Sequence, residues 1–412
     1  MKQTGLKWCP FVPDDWDVLP AKQVFIKNKR EISEGDEVVT CFRDGEVTLR
    51  KNRRATGYTE SEEFAGFQGV RVNDLVVHQM DAFAGSIGVS DSNGMCTSVY
   101  HCCTPIKEQN VHYFKYLLRY MAMSGYIASL GKGIRERSTD FSFNIFGRQL
   151  LVIPPIEVQN KIARYLDDKV SEISACIADR EKERSLLRLF KRAKVNEVIT
   201  RGLQDNVQVK DSGVPAIGLI PEHWDVKRFK SFARTVKGKS VDYLEEPVDN
   251  SQIVLTLETL RSDSPQFYNY AVCDDPEQRC TPEDIIVIWD GAGVGEFLRA
   301  KEGLISSTTA KIALDEQVVF PNFFWYFGGR IEEVMKRMPT GMGIPHLNPV
   351  ILATMEFALP PLHEQREIAE YLDEECRLID EKCALIDEQI AKLQLLKRSL
   401  IREVVTGKRQ IQ

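Results

Sequence analysis

The chain has 412 residues, of which 43% are hydrophobic and 28% charged, an ordinary balance for a soluble globular protein with room for two cores and extra helix. No apolar run reaches bilayer length and no signal-peptide core stands near the first residues, so a cytoplasmic protein with no membrane partner is expected. The net charge of −6 excludes a strongly basic nucleic-acid binder, but the charge is uneven, and a basic patch on an acidic scaffold can still attract DNA.

In chain order, a basic cluster comes first, Arg50-Lys51-Asn52-Arg53-Arg54. Asp74–His78 and Ser98–Cys102 then read as short strands. Asn110 opens an amphipathic helix through Tyr113, Leu117, Leu118 and Met121. A glycine-rich loop, Gly131-Lys132-Gly133-Ile134-Arg135, leads to Pro154-Pro155 and a long helical segment. The second half repeats the plan. Lys227, Arg228, Lys230, Arg234, Lys237 and Lys239 form a second basic run with no acid between them. Asp284–Trp289 and Lys311–Leu314 are strand-like, and a helix follows Pro321 through Phe324, Tyr326 and Ile331. Gly341-Met342-Gly343-Ile344-Pro345-His346 precedes Pro360-Pro361 and a second long helix. The ten cysteines show no C-x-x-C spacing, which points to reduced thiols and away from a zinc site.

The two long segments are one pattern used twice. Pro154-Pro155, Gln159, Ile162-Ala163 and Tyr165-Leu166-Asp167 return 206 positions later as Pro360-Pro361, Gln365, Ile368-Ala369 and Tyr371-Leu372-Asp373, without a gap as far as Lys191-Arg192 and Lys397-Arg398. Pro13 to Trp16 is answered by Pro221 to Trp224, and Asp74–Val77 by Asp284–Val287, while the sequence between these anchors diverges. A period this long means a tandem of domains, not a solenoid.

Apolar residues step by threes and fours along both helices, the signature of a coiled-coil seam: Ile162, Leu166, Ile173 and Ile177 in the first, Ile368, Leu372, Ile379, Ile386 and Leu393 in the second. About 40 residues make a rod of about 60 Å. The first helix delivers the chain to the second domain, so the second helix must return along it. The expected architecture is α+β: two mixed α/β domains separated by two long antiparallel coiled-coil helices, a pseudo-twofold dumbbell. The segments are 1–153, a first domain; 154–203, a first helix; 204–359, a second domain; and 360–412, a second helix. Gly202 and Gly407 suit the C-terminal stops.

Catalytic motifs fail. Gly238-Lys239-Ser240 lacks the earlier glycine of a phosphate-binding loop, because Ala233 stands there. Gly291-Ala292-Gly293-Val294-Gly295 lacks dinucleotide-binding spacing, and Asn348-Pro349-Val350 lacks the second proline and aromatic residue of an amino-methyltransferase turn. No catalytic residue, metal ligand or bound cofactor is expected in this chain.

A variable domain, Pro-Pro, a Gln-x-x-Ile-Ala-x-Tyr-Leu-Asp helix and then the same again resembles the specificity subunit of type I restriction-modification enzymes. Met80-Asp81-Ala82-Phe83 with Gly85-Ser86-Ile87-Gly88-Val89-Ser90 also looks like a segment of their recognition domains. The resemblance covers essentially the whole chain. It implies a non-catalytic subunit whose two target recognition domains read the halves of a split, asymmetric site in double-stranded DNA. It also implies two modification subunits, which bind S-adenosylmethionine and methylate adenine, and two ATP-driven motor-nuclease restriction subunits. Base-reading residues cannot be carried over. From residue type and clustering, the DNA-contacting candidates are Arg50, Lys51, Asn52, Arg53, Arg54, Arg135 and Arg137 in the first domain, and Lys237, Lys239 and His346 in the second. The competing expectation is a coiled-coil scaffold that joins two protein partners without DNA.

Overall fold

The computed structural model describes residues 1–53, 66–130, 140–204, 206–262, 264–291, 293–338 and 343–411. The chain is mixed α/β and divides into two compact units that are each discontinuous in sequence: Met1–Glu183 with Ile386–Gln412, and Arg184–Leu385. Four helices matter below: α1 (Val111–Met123), α2 (Ile156–Arg201), α3 (Gly328–Arg337) and α4 (Leu362–Val405). The long helices α2 and α4 contain 46 and 44 residues, and each contributes one part to each unit.

The first unit is built on four strands, β1 (Phe25–Asn28), β2 (Leu75–His78), β3 (Ile87–Val89) and β4 (Tyr100–Pro105), in the antiparallel order β1-β4-β2-β3. The second unit has β5 (Ala233–Lys237), β6 (Ile285–Ile288), β7 (Phe297–Arg299) and β8 (Thr309–Leu314), in the order β5-β8-β6-β7. The topology is the same. The central strands Leu75-Val76-Val77 and Ile285-Ile286-Val287-Ile288 are buried on both faces, which explains their continuous apolar runs. A further strand pair closes each domain: Asp17–Pro20 with Leu150–Ile153, and Asp225–Arg228 with Glu356–Leu359. It ties the domain's first segment to the strand that leads into the Pro-Pro.

The expected strand over Ser98–Cys102 is in fact a boundary. One strand ends at Thr97 and β4 begins at Tyr100, so Ser98 and Val99 form the turn between them. The helix expected after Pro321 is also broken. Pro321–Trp325 stops at Tyr326-Phe327, and α3 resumes at the glycine pair Gly328-Gly329, where backbone freedom makes continuation costly. Asn110 caps α1 as its sequence suggests, its side chain accepting from the backbone N–H groups of His112 and Tyr113. Gly202 and Gly407 follow the long helices with φ of 75° and 69°, the left-handed conformation that a helix stop favours.

Each core draws on both long helices. In the first unit Ile162, Ala163 and Leu166 of α2 pack with Leu400, Ile401, Val404 and Val405 of α4 and with Tyr113, Phe114 and Leu117 of α1. In the second, Ile368, Ala369 and Leu372 of α4 pack with Val198 and Ile199 of α2 and with Phe323, Phe324 and Phe327. Val198 and Val404 are repeat equivalents. Burial of each such side chain stabilises by about 1.5–3 kcal/mol, so each long helix is fastened where it leaves its domain. No helix among the described residues is long and apolar enough to cross a membrane.

Candidate nucleic-acid interface and helix anchors

The helix motif is an anchor first. Gln159 is buried, and its amide donates to the carbonyls of Pro154 (2.8 Å) and the Gln109 side chain (2.6 Å), while its oxygen accepts from the backbone N–H of Asn110 (2.9 Å). Gln365 repeats this, donating to Pro360 O and Val318 O and accepting from Phe320 N–H. The glutamine therefore locks the Pro-Pro entry to the loop before the domain's own helix. The aspartate of Tyr-Leu-Asp completes the anchor: Tyr116 of α1 donates to Asp167, and Tyr326 donates to Asp373. Lys115 also reaches Asp167 at 2.9 Å. Burial works to raise the Asp167 carboxyl, but hydrogen bonds from Lys115 and Tyr116 outweigh it and hold the group below its ordinary value. The Trp224 indole donates to Glu364, which also meets His223 at 2.8 Å.

The seam residues therefore have two environments. Ile162, Leu166, Ile368 and Leu372 lie in the domain cores. Ile379 and Ile386 are buried farther along α4, while Ile173, Ile177 and Leu393 are half-buried. Polar contacts join the helices within each unit: Lys397 with Ser174 in the first, Lys191 with Asp380 in the second.

Of the predicted DNA-contacting residues, Arg54, Arg135 and Arg137 lie outside the described residues. The others are already engaged. Lys51 pairs with Glu37 at 2.5 Å, and Arg53 with Asp44 and Glu46 at 2.6 and 2.8 Å, its guanidinium lying 4.3 Å from the centre of the Phe42 ring. Arg50 donates to Thr40 and Asn52 to Thr48. Lys239 pairs with Asp275 at 2.7 Å, and Lys237 and His346 both meet Asp290, at 3.3 and 2.6 Å. The hairpin around residues 39–49 brings acids to the first cluster that its own run of sequence does not contain. Such exposed pairs contribute little to stability, so a phosphate could exchange for the carboxylate partner.

The structure also brings together residues that, His346 apart, residue type alone did not single out. At one end of β2, the Gln79 N–H donates to Val99 O and the Phe141 N–H donates to Gln79 O. At the same end of β6, the Trp289 N–H donates to Thr308 O and the Leu347 N–H donates to Trp289 O. The same backbone junction is thus built twice. Across it Gln79 donates to Asp140 at 2.6 Å in the first unit, and Asp290 meets His346 in the second. The strand anchors Asp74 and Asp284, 210 positions apart, carry Gln79 to Trp289, and the 206-residue offset carries Asp140 to His346.

Among the described residues no group of three or more His, Cys, Asp or Glu side chains is placed to hold a metal ion. Eight of the ten cysteines are buried, Cys176 and Cys273 being the more exposed ones.

A family model described as "Type I restriction modification DNA specificity domain" matches residues 221–394. The chain is 30% identical over 161 residues to the "Type I restriction enzyme MjaVIII specificity subunit" of Methanocaldococcus jannaschii, a match that spans 39% of this chain and only 37% of that protein. It is 23% identical to the "Putative type I restriction enzyme MjaX specificity subunit" of the same organism, covering 96% of this chain and 94% of that one. Among solved structures, a chain of "Structural basis underlying complex assembly and conformational transition of the type I R-M system" is similar in fold, with a TM-score of 0.73 at 15% identity, covering 97% of this chain and all of that one. The "HsdS subunit from Thermoanaerobacter tengcongensis" is similar with a TM-score of 0.51 at 16% identity, covering 99% of this chain. Residues 221–394 thus match a type I restriction modification DNA specificity domain, and the chain as a whole is similar to specificity subunits of type I restriction enzymes.

Proposed function

We propose that this protein is the DNA-reading subunit of a type I restriction-modification complex, with no catalytic centre of its own. Each domain reads one half of a bipartite, asymmetric site, and the long helices set the distance between the halves. The observation that carries this reading is the duplication of one strand topology, β1-β4-β2-β3 and β5-β8-β6-β7, on one set of helix anchors, with divergent sequence between the anchors. A fixed frame with two independently variable faces suits a reader of two unrelated half-sites. Lysine and arginine contacts to phosphate supply the general affinity, and base-edge contacts the choice of site.

The same reading assigns S-adenosylmethionine to two modification subunits and ATP to two restriction subunits. Two copies of one partner are supported by a pair of exposed apolar patches at repeat-equivalent positions, Leu189-Phe190 on α2 and Leu395-Leu396 on α4. These side chains are 53–67% exposed, and contiguous exposed apolar side chains mark interaction surfaces. The test is to map the methylated motif in cells that carry the native system and in cells where residues 14–150 are replaced by the equivalent domain of a relative. One changed half and one unchanged half is the expected result. A complex that marks no DNA would favour the scaffold alternative.

A further inference from the structure

We infer that the duplicated junction at the ends of β2 and β6 is the base-reading edge of each domain, and that the side-chain pairs Gln79–Asp140 and Asp290–His346 select the bases of the two half-sites. The inference rests on the DNA-reading function proposed above and adds residues to it.

A comparison internal to the chain carries it. The clamps that fasten the long helices share their chemistry in the two halves: Gln159 and Gln365, and Tyr116–Asp167 and Tyr326–Asp373. At the junction the backbone bonds coincide. Gln79 N–H to Val99 O is 3.0 Å and Trp289 N–H to Thr308 O is 2.9 Å; Phe141 N–H to Gln79 O is 3.1 Å and Leu347 N–H to Trp289 O is 2.7 Å. The side chains that bridge it do not coincide. In the first unit an amide faces a carboxylate; in the second, one residue farther along, a carboxylate faces an imidazole. One backbone frame therefore accepts two different polar pairs, so the fold does not require either. What remains for them to specify is a ligand that differs between the halves.

Their chemistry matches base edges in the major groove of duplex DNA. A glutamine amide offers the donor and acceptor that read adenine, a carboxylate accepts from the cytosine amino group, and an imidazole or ammonium donates to guanine. At least one member of each pair is presented outward, while Asp290 is 18% exposed. His346 is 47% exposed, and Asp140 is exposed beside a half-buried Gln79. Each is fixed to a strand end by the junction, as a reader needs if little ordering is to be lost on binding. Lys237, 3.3 Å from Asp290 and 5.4 Å from the centre of the Trp289 ring, adds a cation at the second edge.

The experiment uses the full chain assembled with its methyltransferase partner, with duplex oligonucleotides and mapping of the methylated motif as readouts. Gln79→Leu and Asp140→Asn are expected to relax or change only the first half-site. Asp290→Asn and His346→Gln are expected to change only the second. Each should lower methylation of the parent site roughly 5- to 150-fold relative to a site altered at one base of that half, the range of a single base contact. Thermal unfolding should stay near that of the parent, because Asp140 and His346 are exposed, Gln79 is half-buried, and Asp290→Asn keeps the size of a side chain that is 18% exposed. Unaltered motif and rate in all four variants would overturn the inference, as would a loss equal on every sequence, which marks phosphate contact or faulty assembly. A parent complex that marks no bipartite motif would remove the DNA-reading function itself, a separate and distinguishable failure.

Discussion

The Lys397 ammonium donates to the Ser174 hydroxyl at 2.7 Å, and the duplication supplies its counterpart. Residue 191 lies 206 positions before 397 and residue 380 lies 206 after 174, and Lys191 meets Asp380 at 2.6 Å. The same lysine of the repeat crosses to the other helix in both units, in the same register. The settings differ, however. Lys191 faces an exposed carboxylate. Lys397 is held below the ordinary lysine range, first by burial and then by the nearby Arg119 charge.

That difference predicts unequal effects of one substitution. Lys191→Met removes an exposed ion pair and should cost less than about 1 kcal/mol. Lys397→Met removes a charge that the folded state disfavours while keeping most of the stem's packing. It should leave stability unchanged or raise it slightly at neutral pH. Chemical denaturation of both variants checks the pair. A Lys397→Met loss larger than that of Lys191→Met would show that the Ser174 hydrogen bond outweighs the burial cost.

The anchoring glutamines should be less tolerant. Gln365→Leu keeps the volume but leaves the Phe320 N–H and the carbonyls of Val318 and Pro360 without their partner. A buried group left unpaired costs about 1–3 kcal/mol, so a loss of about 3 kcal/mol is expected, with a similar loss for Gln159→Leu. Denaturant midpoints measure it. A loss below about 1 kcal/mol in both would mean that water or rearrangement replaces the clamp.

These glutamines also mark what the sequence could convey. The two long helices, their Pro-Pro entries and their glycine stops were legible because periodicity and backbone chemistry are local properties. The role of the motif was not. An apolar stripe with Ile162 and Leu166 gives the buried face of a helix but not the neighbour that buries it, and here that neighbour is partly the domain core. The carboxylate partners of the basic clusters were hidden for a related reason. A count along Arg50–Arg53 omits Glu37, Asp44 and Glu46, which strand pairing brings alongside. The strand-end junction was hidden because its members, Gln79 and Asp140 or Asp290 and His346, lie 56 or more residues apart in sequence.

A buried imidazole sets an acid limit on the first unit. His101 is 1% exposed, and its Nε2 faces the Phe141 carbonyl at 3.0 Å. Burial pushes it down to about 4, with the Phe141 hydrogen bond opposing in part. The unfolded chain takes up the proton near the ordinary value of about 6.5, so between there and about 4 the unfolded state binds more protons than the folded one. Stability should fall as pH drops through that window, by up to about 1.4 kcal/mol per unit from this group. The difference between the parent and His101→Phe, measured as denaturation free energy against pH, should shift in favour of the variant by that slope. A difference independent of pH from 7 to 4 would show that His101 titrates alike in both states.

The exposed apolar patches give the final prediction. Leu189 and Leu395 are equivalent in the repeat, and neither is covered in the chain alone, at 60% and 67% exposure. If two copies of one methyltransferase subunit dock at these positions, Leu189→Asp should weaken retention of one copy and Leu395→Asp of the other, while each variant still holds its partner at the intact patch. An aspartate placed in a dry interface meets a desolvation cost of several kcal/mol without a counter-charge, so the affected copy should be lost at micromolar concentration. The double variant should purify without either. Native mass spectrometry of the co-expressed subunits reads the stoichiometry directly: two partners for the parent, one for each single variant, none for the double. Full occupancy in the double variant would show that docking uses another face and would leave these leucines unexplained. Because both positions face solvent in the free chain, thermal unfolding of the isolated variants should match the parent. That comparison separates a lost interface from a lost fold.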